Sequence, residues 1–182
     1  AGAFGCWRED VKINWCSVDK ATLTQSEMHE FNKKMAEAKK LREHEEETNR
    51  TKARSKASKI WEQSVKPPTD HPYLISKRVQ SHGLKLSRGK LIVPLYDQNQ
   101  ILQSLQFIGP DGEKRFLRGG LTKGCYFPIE GALDKILYIA EGFATAATVH
   151  EVTGSAVAVA FNANNLKPVA KALRAKFPNL EI

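Results

Sequence analysis

The stretch Lys135-Ile-Leu-Tyr-Ile-Ala-Glu141-Gly142-Phe-Ala-Thr-Ala-Ala-Thr-Val-His-Glu151 constrains the fold more than any other. Residues 136–140 form a short apolar block rich in β-formers. Phe143, Ala146, Ala147 and His150 then recur at helical spacing, which predicts a strand, a sharp turn at Gly142 and a helix. Glu141 accordingly falls at the carboxyl end of a buried strand. Open α/β sheets gather ligands at that edge, because strand ends and helix amino termini converge there on a crevice. The same grammar repeats: a strand over 155–161, a turn at 162–165 rich in helix-capping residues, and a helix over 166–177 in which Pro168 falls in the first turn. Pro178-Asn179 interrupts the chain, and Leu180-Glu181-Ile182 begins to read as a third strand. A sequence that opens without Met and stops in such an element reads as a piece of a longer protein.

Ahead of this unit the pattern is antiparallel. Lys90-Leu-Ile-Val-Pro-Leu-Tyr96 and Ile101-Leu-Gln-Ser-Leu-Gln-Phe-Ile108, joined by Asp97-Gln-Asn-Gln100, predict a hairpin. Gly109-Pro-Asp-Gly112 is a turn, and residues 114–117 are the next strand. Asp97 and Asp111 read as turn formers. The loop Arg118-Gly-Gly-Leu-Thr-Lys-Gly124 is basic and glycine-rich but lacks the P-loop order of glycines, lysine and hydroxyl. His71-Pro-Tyr-Leu74 opens a short helix.

At the amino terminus, residues 1–18 suit a β-hairpin. Thr24-Gln-Ser-Glu27 is a capping box, with Leu23 and Met28 as its hydrophobic staple, and it starts a helix whose apolar stripe runs through Phe31, Met35, Ala38 and Leu41. From Arg42 to Lys59 only small alanines interrupt the charge, which predicts a solvated or flexible helix held by ion pairs and dynamic beyond Leu41. Its basic half, residues 50–59, could track a phosphate backbone; a solvated linker is the preferred reading. Ile60, Trp61 and Val65 dock its end, and Pro67-Pro68 marks a boundary.

Charge separates these segments. Residues 1–66 carry 14 basic and 11 acidic side chains, residues 67–129 carry 9 and 4, and residues 130–182 carry 5 and 5. The excess in the middle favours an anionic partner such as nucleic acid or nucleotides. Three cysteines make no disulfide framework; Cys6 and Cys16 lack zinc-ligand spacing and read as buried or hairpin-paired thiols. No apolar run approaches a membrane span, so the expectation is a reduced, cytoplasmic protein with no membrane partner.

Taken together, Ala3-Phe-Gly-Cys-Trp7, His71-Pro-Tyr-Leu74, residues 91–97, residues 105–116, Lys114-Arg-Phe-Leu-Arg-Gly-Gly120, Ile139-Ala-Glu-Gly142 and Asn165-Leu166 resemble the Toprim-containing DNA primases of phages, plasmids and integrated elements. The resemblance covers nearly the whole chain. It implies a fold of mixed α+β and α/β class: a hairpin and long charged helix (1–66), a small basic antiparallel β subdomain (67–129), and the first part of a Toprim subdomain (130–182). It implies RNA primer synthesis on single-stranded DNA from nucleoside triphosphates, assisted by Mg2+ or Mn2+, in a protein whose further candidate partner is a fused or separate replicative helicase.

The same resemblance makes Glu141 the first acidic residue of the catalytic metal site. The family's Asp-x-Asp would lie beyond Ile182, and the piece alone is expected to be inactive. It assigns nucleotide and template contacts to Lys114, Arg115 and Arg118, with Lys123 the weaker member. Read locally, Glu141 is a carboxylate facing the next helix's amino terminus, and the basic residues are a solubilising hairpin edge. Two departures stand out: Leu105-Gln106 replaces the Gly-Arg of cellular bacterial primases, and no zinc-ribbon module is present, so no zinc is expected. His150 reads as a packed or capping histidine. The alternatives are a non-catalytic nucleic-acid-binding or replisome module, and another Toprim enzyme, a topoisomerase or nuclease; none of Tyr73, Tyr96, Tyr126 and Tyr138 stands in a recognisable topoisomerase context.

Overall fold

The computed structural model describes residues 2–6, 11–15, 23–133 and 136–182. It divides into two compact units, Ala1–Glu45 and Glu46–Ile182. In the first, β1 (Gly2–Cys6) and β2 (Val11–Trp15) pair antiparallel, Gly2 opposite Trp15. Cys16 lies outside the described residues, as does the side chain of Cys6, so the reading of these two thiols falls there too.

The helix α1 (Gln25–Gln63) begins in this unit. Its capping box forms as expected: the Thr24 N–H donates to Glu27 Oε2 (2.9 Å) and the Glu27 N–H to Thr24 Oγ1 (3.4 Å). Hydrogen bonds from the Thr24 side chain and backbone hold the Glu27 carboxyl below its ordinary range. Ion pairs Lys39–Glu43, Arg50–Glu46 and Arg50–Glu47 follow along the helix.

The second unit corrects one expectation at once. From Ala53 onward the helix is anchored, because Ala53 and Ala57 are buried in a cluster with Ile92, Leu105 and Leu117, whereas residues 41–47 and 49–52 are exposed. A small side chain lets the helix axis approach the sheet closely, so alanines that look like mere gaps in the charge are the docking face. Ser64 Oγ then donates to the Ile60 carbonyl (2.6 Å), and Val65 bridges to Leu86.

His71 caps the short α2 (Pro72–Lys77), accepting from the Tyr73 N–H. Four antiparallel strands follow in the order β3 (Lys85–Ser87), β4 (Lys90–Tyr96), β5 (Leu102–Ile108) and β6 (Lys114–Phe116). The β4–β5 hairpin and the following turn match expectation: Asp97 Oδ1 accepts from the Asn99 and Ile101 N–H groups, and Asp111 Oδ1 from Glu113. β4 is buried on both faces. Leu91, Val93 and Leu95 join the main core, whereas Ile92 points to α1, as the two-residue period of a strand requires.

The main core continues into a three-stranded sheet of order β7 (Phe127–Ile129), β9 (Val157–Val159) and β8 (Tyr138–Ala140). β8 and β9 are parallel, and β7, absent from the sequence reading, is antiparallel to β9. α3 (Phe143–Thr153) buries Phe143, Ala146 and Ala147 in the main core; α4 (Ala163–Lys176) buries Val169 and Leu173 in a separate cluster with Tyr126, Leu137, Ala156, Ala158 and Ala160. Parallel strands joined through α3 need such a crossover.

The strand expected over 155–161 is only three residues long, and α4 begins at Ala163, capped by Asn162. Pro168 is therefore interior to the helix, past the first turn. Leu180-Glu181-Ile182 does return to the sheet, with Ile136 and Glu181 in a parallel bridge and the Leu137 N–H on the Glu181 carbonyl (2.8 Å). Among the described residues no helix is long and apolar enough to cross a membrane.

Candidate functional site

Because β8 and β9 are parallel, both release the chain on the same edge of their sheet, and each is followed at once by a helix. Glu141 and Gly142 occupy the link from β8 to α3, and Phe161 and Asn162 the link from β9 to α4. The two helix starts differ. Asn162 Oδ1 accepts the Asn165 N–H (3.0 Å) and closes α4, while Gly142 gives α3 no side-chain cap. The first-turn N–H groups of α3 are left for an external acceptor.

The basic strand β6 reaches this same edge. A Cβ on Gly142 would stand 3.4 Å from Lys114 Nζ, and the Phe116 ring lies edge-on to Phe161 at 6.0 Å. Alternation along the strand turns Arg115 to the other side, where its guanidinium pairs with Glu113 (2.7 Å). Lys114 and Arg115 are thus adjacent in sequence and separated in space.

Lys114 and Gly142 line a groove of about 490 Å3 with Tyr73, Lys77, Thr145 and Thr148. Two ammonium groups, the Thr145 hydroxyl and an uncapped helix start make this groove suited to an anion, while the Thr148 hydroxyl donates to the Ala144 carbonyl (3.0 Å). The Tyr73 hydroxyl is buried without a hydrogen-bond partner among the described residues, and burial pushes its pKa up. Glu141 is exposed beside the groove, and its carboxylate makes no hydrogen bond or ion pair to the described residues.

The remaining expected residues lie elsewhere. Arg118 is exposed in the turn after β6, and Lys123 is exposed in a different open groove, with Asp97, Pro168 and Lys171. His150 is a packing residue, as read: Nδ1 pairs with the Ser155 carbonyl (2.9 Å) and the ring meets His82 edge-on at 5.0 Å. Among the described residues no group of three or more His, Cys, Asp and Glu is placed to hold a metal ion. Glu141 fits one oxygen ligand of a divalent cation and does not by itself complete a site.

Sequence reasoning missed Lys77, Thr145 and Thr148, whose grouping depends on how α2 meets α3. It also missed the role of Asn165, which it read as part of a cap-rich turn and, with Leu166, as part of the family resemblance. The Asn165 side chain accepts the Gly124 N–H (2.7 Å) and donates to the carbonyls of Cys125 (2.9 Å) and Ala160 (2.8 Å). It thereby clamps the glycine-rich loop to the end of β9.

Two curated proteins are similar to this chain in sequence. The chain is 40% identical over 122 residues to an Escherichia coli protein named DNA primase TraC, covering 63% of this chain and 8% of that protein. It is 41% identical over 126 residues to a second Escherichia coli protein of the same name, covering 64% of this chain and 12% of that protein. The chain therefore spans a small part of the length of these relatives. No family model matches it, and no solved structure does.

Proposed function

We propose that this chain is part of the catalytic core of a plasmid-type DNA primase, with the sheet of β7, β8 and β9 as the beginning of its Toprim subdomain. The observation that carries the reading is the meeting of Lys114, the uncapped start of α3 and Glu141 at one sheet edge. The similarity to proteins named DNA primase supports it.

Nucleotidyl transfer joins the 3′ oxygen of one nucleotide to the α-phosphorus of the next and expels pyrophosphate, so negative charge builds on the phosphates. Preorganised donors aimed at that charge lower the barrier. Lys114, Lys77 and the first N–H groups of α3 hold the triphosphate, and Thr145 orients it. A divalent cation, Mg2+ or Mn2+, supplies further neutralisation when bound, and Glu141 offers it one oxygen. Arg118 holds template, with Arg115 and Lys123 as outlying contacts.

The test is primer synthesis by the complete parent protein on a single-stranded template. Glu141→Gln keeps shape and removes charge; it should abolish synthesis while leaving DNA binding intact. Lys114→Ala should raise the KM for nucleoside triphosphates and lower kcat. Undiminished synthesis by Glu141→Gln would sink the assignment.

A further inference from the structure

The docking of α1 on the four-stranded sheet fixes which of its basic residues face outward together. With Ala53 and Ala57 turned into the sheet, Lys52, Lys56 and Lys59, spaced i, i+4 and i+7, fall along one flank. All three are exposed, and none makes an ion pair among the described residues. Arg50 contrasts with them, being held by Glu46 and Glu47. Residues 48–61 contain no acidic side chain at all, so nothing along this stretch of helix neutralises the flank.

The flank is continuous with the turn after β6. A Cβ on Gly119 would stand 3.5 Å from the Asn49 carbonyl oxygen and 3.9 Å from Ala53 Cβ, so this turn rests on α1 beside Asn49. Asn49 lies three residues before Lys52 and seven before Lys56, on the same flank. Arg118, next to Gly119 and exposed, therefore extends the row, and β6 leads back from it to Lys114 over about 13 Å of extended chain. Cations one helical turn apart, about 6 Å, followed by an arginine and then by the candidate site, match a polyanion laid along the surface.

We propose that Lys52, Lys56 and Lys59 of α1, continued by Arg118, track the phosphate backbone of a single-stranded nucleic acid and lead it toward Lys114. This rests on the reading that the chain handles a nucleic-acid strand, and it adds a surface outside the sheet edge. Backbone contacts of this kind carry no sequence information; they set affinity, register and salt dependence.

The experiment measures binding of a labelled oligothymidylate to the 182-residue chain as a function of salt. In the variant K52Q/K56Q/K59Q, glutamine keeps helix propensity, and circular dichroism checks the fold. Loss of three phosphate contacts should flatten the log-affinity against log-salt slope by about 2. A charge-matched control, K33Q/K34Q/K40Q in the first unit, should flatten it by less than half as much. An unchanged slope in the flank variant would overturn the proposal and leave the flank to an acidic protein surface. Equal effects from both triple variants would also overturn it, by reducing the result to net charge. Absence of binding by the unaltered chain would overturn the broader nucleic-acid reading as well, which separates the two failures.

Discussion

Replacing Asn165 by alanine tests how the glycine-rich loop is held to the sheet edge. The side chain is nearly fully buried and makes three hydrogen bonds, to the Gly124 N–H and the carbonyls of Cys125 and Ala160. Each such bond contributes about 1 kcal/mol net, and a buried group left without a partner costs more, about 1–3 kcal/mol. Cys125 and Ala160 are wholly buried, so water reaches their carbonyls only by entering the space the asparagine vacates. The expected loss is about 3 kcal/mol, rising toward 5 if that space stays dry. In urea, with a slope near 2 kcal/mol per molar, the unfolding midpoint should fall by about 1.5 M. Asn162→Ala is the natural comparison, since it removes only the cap of α4 and should cost about 1 kcal/mol. Circular dichroism of the two variants side by side gives the order. A midpoint shift under about 0.5 M for Asn165→Ala, or a larger shift for Asn162→Ala, would refute the clamp.

Three further outcomes follow from the geometry. Ala57→Lys places a charge in the cluster of Ile92, Leu105 and Leu117; it should destabilise the second unit by about 3 kcal/mol and speed amide exchange over residues 50–63, and unchanged exchange would show that this face does not anchor α1. At Glu151, desolvation raises the carboxyl pKa, but the Gln80 N–H, the hydrogen bond and charge of His82, and the charge of His150 together bring it below the ordinary range. A depressed folded-state pKa gives stability that is present above the unfolded value and lost as pH falls through the folded one. Glu151→Gln should therefore unfold with less dependence on acid than the unaltered chain, and parallel pH profiles would contradict this. The Cys125 thiol is pushed up to about 12, by burial first and then by the charge of Asp97, so peptide mapping should find it unlabelled by a thiol reagent at pH 8 until the chain is unfolded.

Features set by neighbours in the chain were legible in the sequence alone. The capping box at Thr24 and Glu27 closes within one turn, the Asp97 and Asp111 turns close on their own backbone, and the apolar block before Glu141 followed by a helical stripe places that carboxylate at a strand end whatever surrounds it. Features that depend on distant partners were not. Alanine carries too little apolar surface to mark a face, so Ala53 and Ala57 became a docking site only when Ile92, Leu105 and Leu117 arrived against them. β7 is three residues with a proline at its centre and becomes a strand only by pairing with β9. Strand alternation implies that Lys114 and Arg115 point opposite ways, but only the packing of β6 against the start of α3 decides that Lys114 is the one that meets Gly142. Hydrogen bonds between neighbours are specified by local spacing, whereas burial is a property of surfaces that long-range contacts bring together.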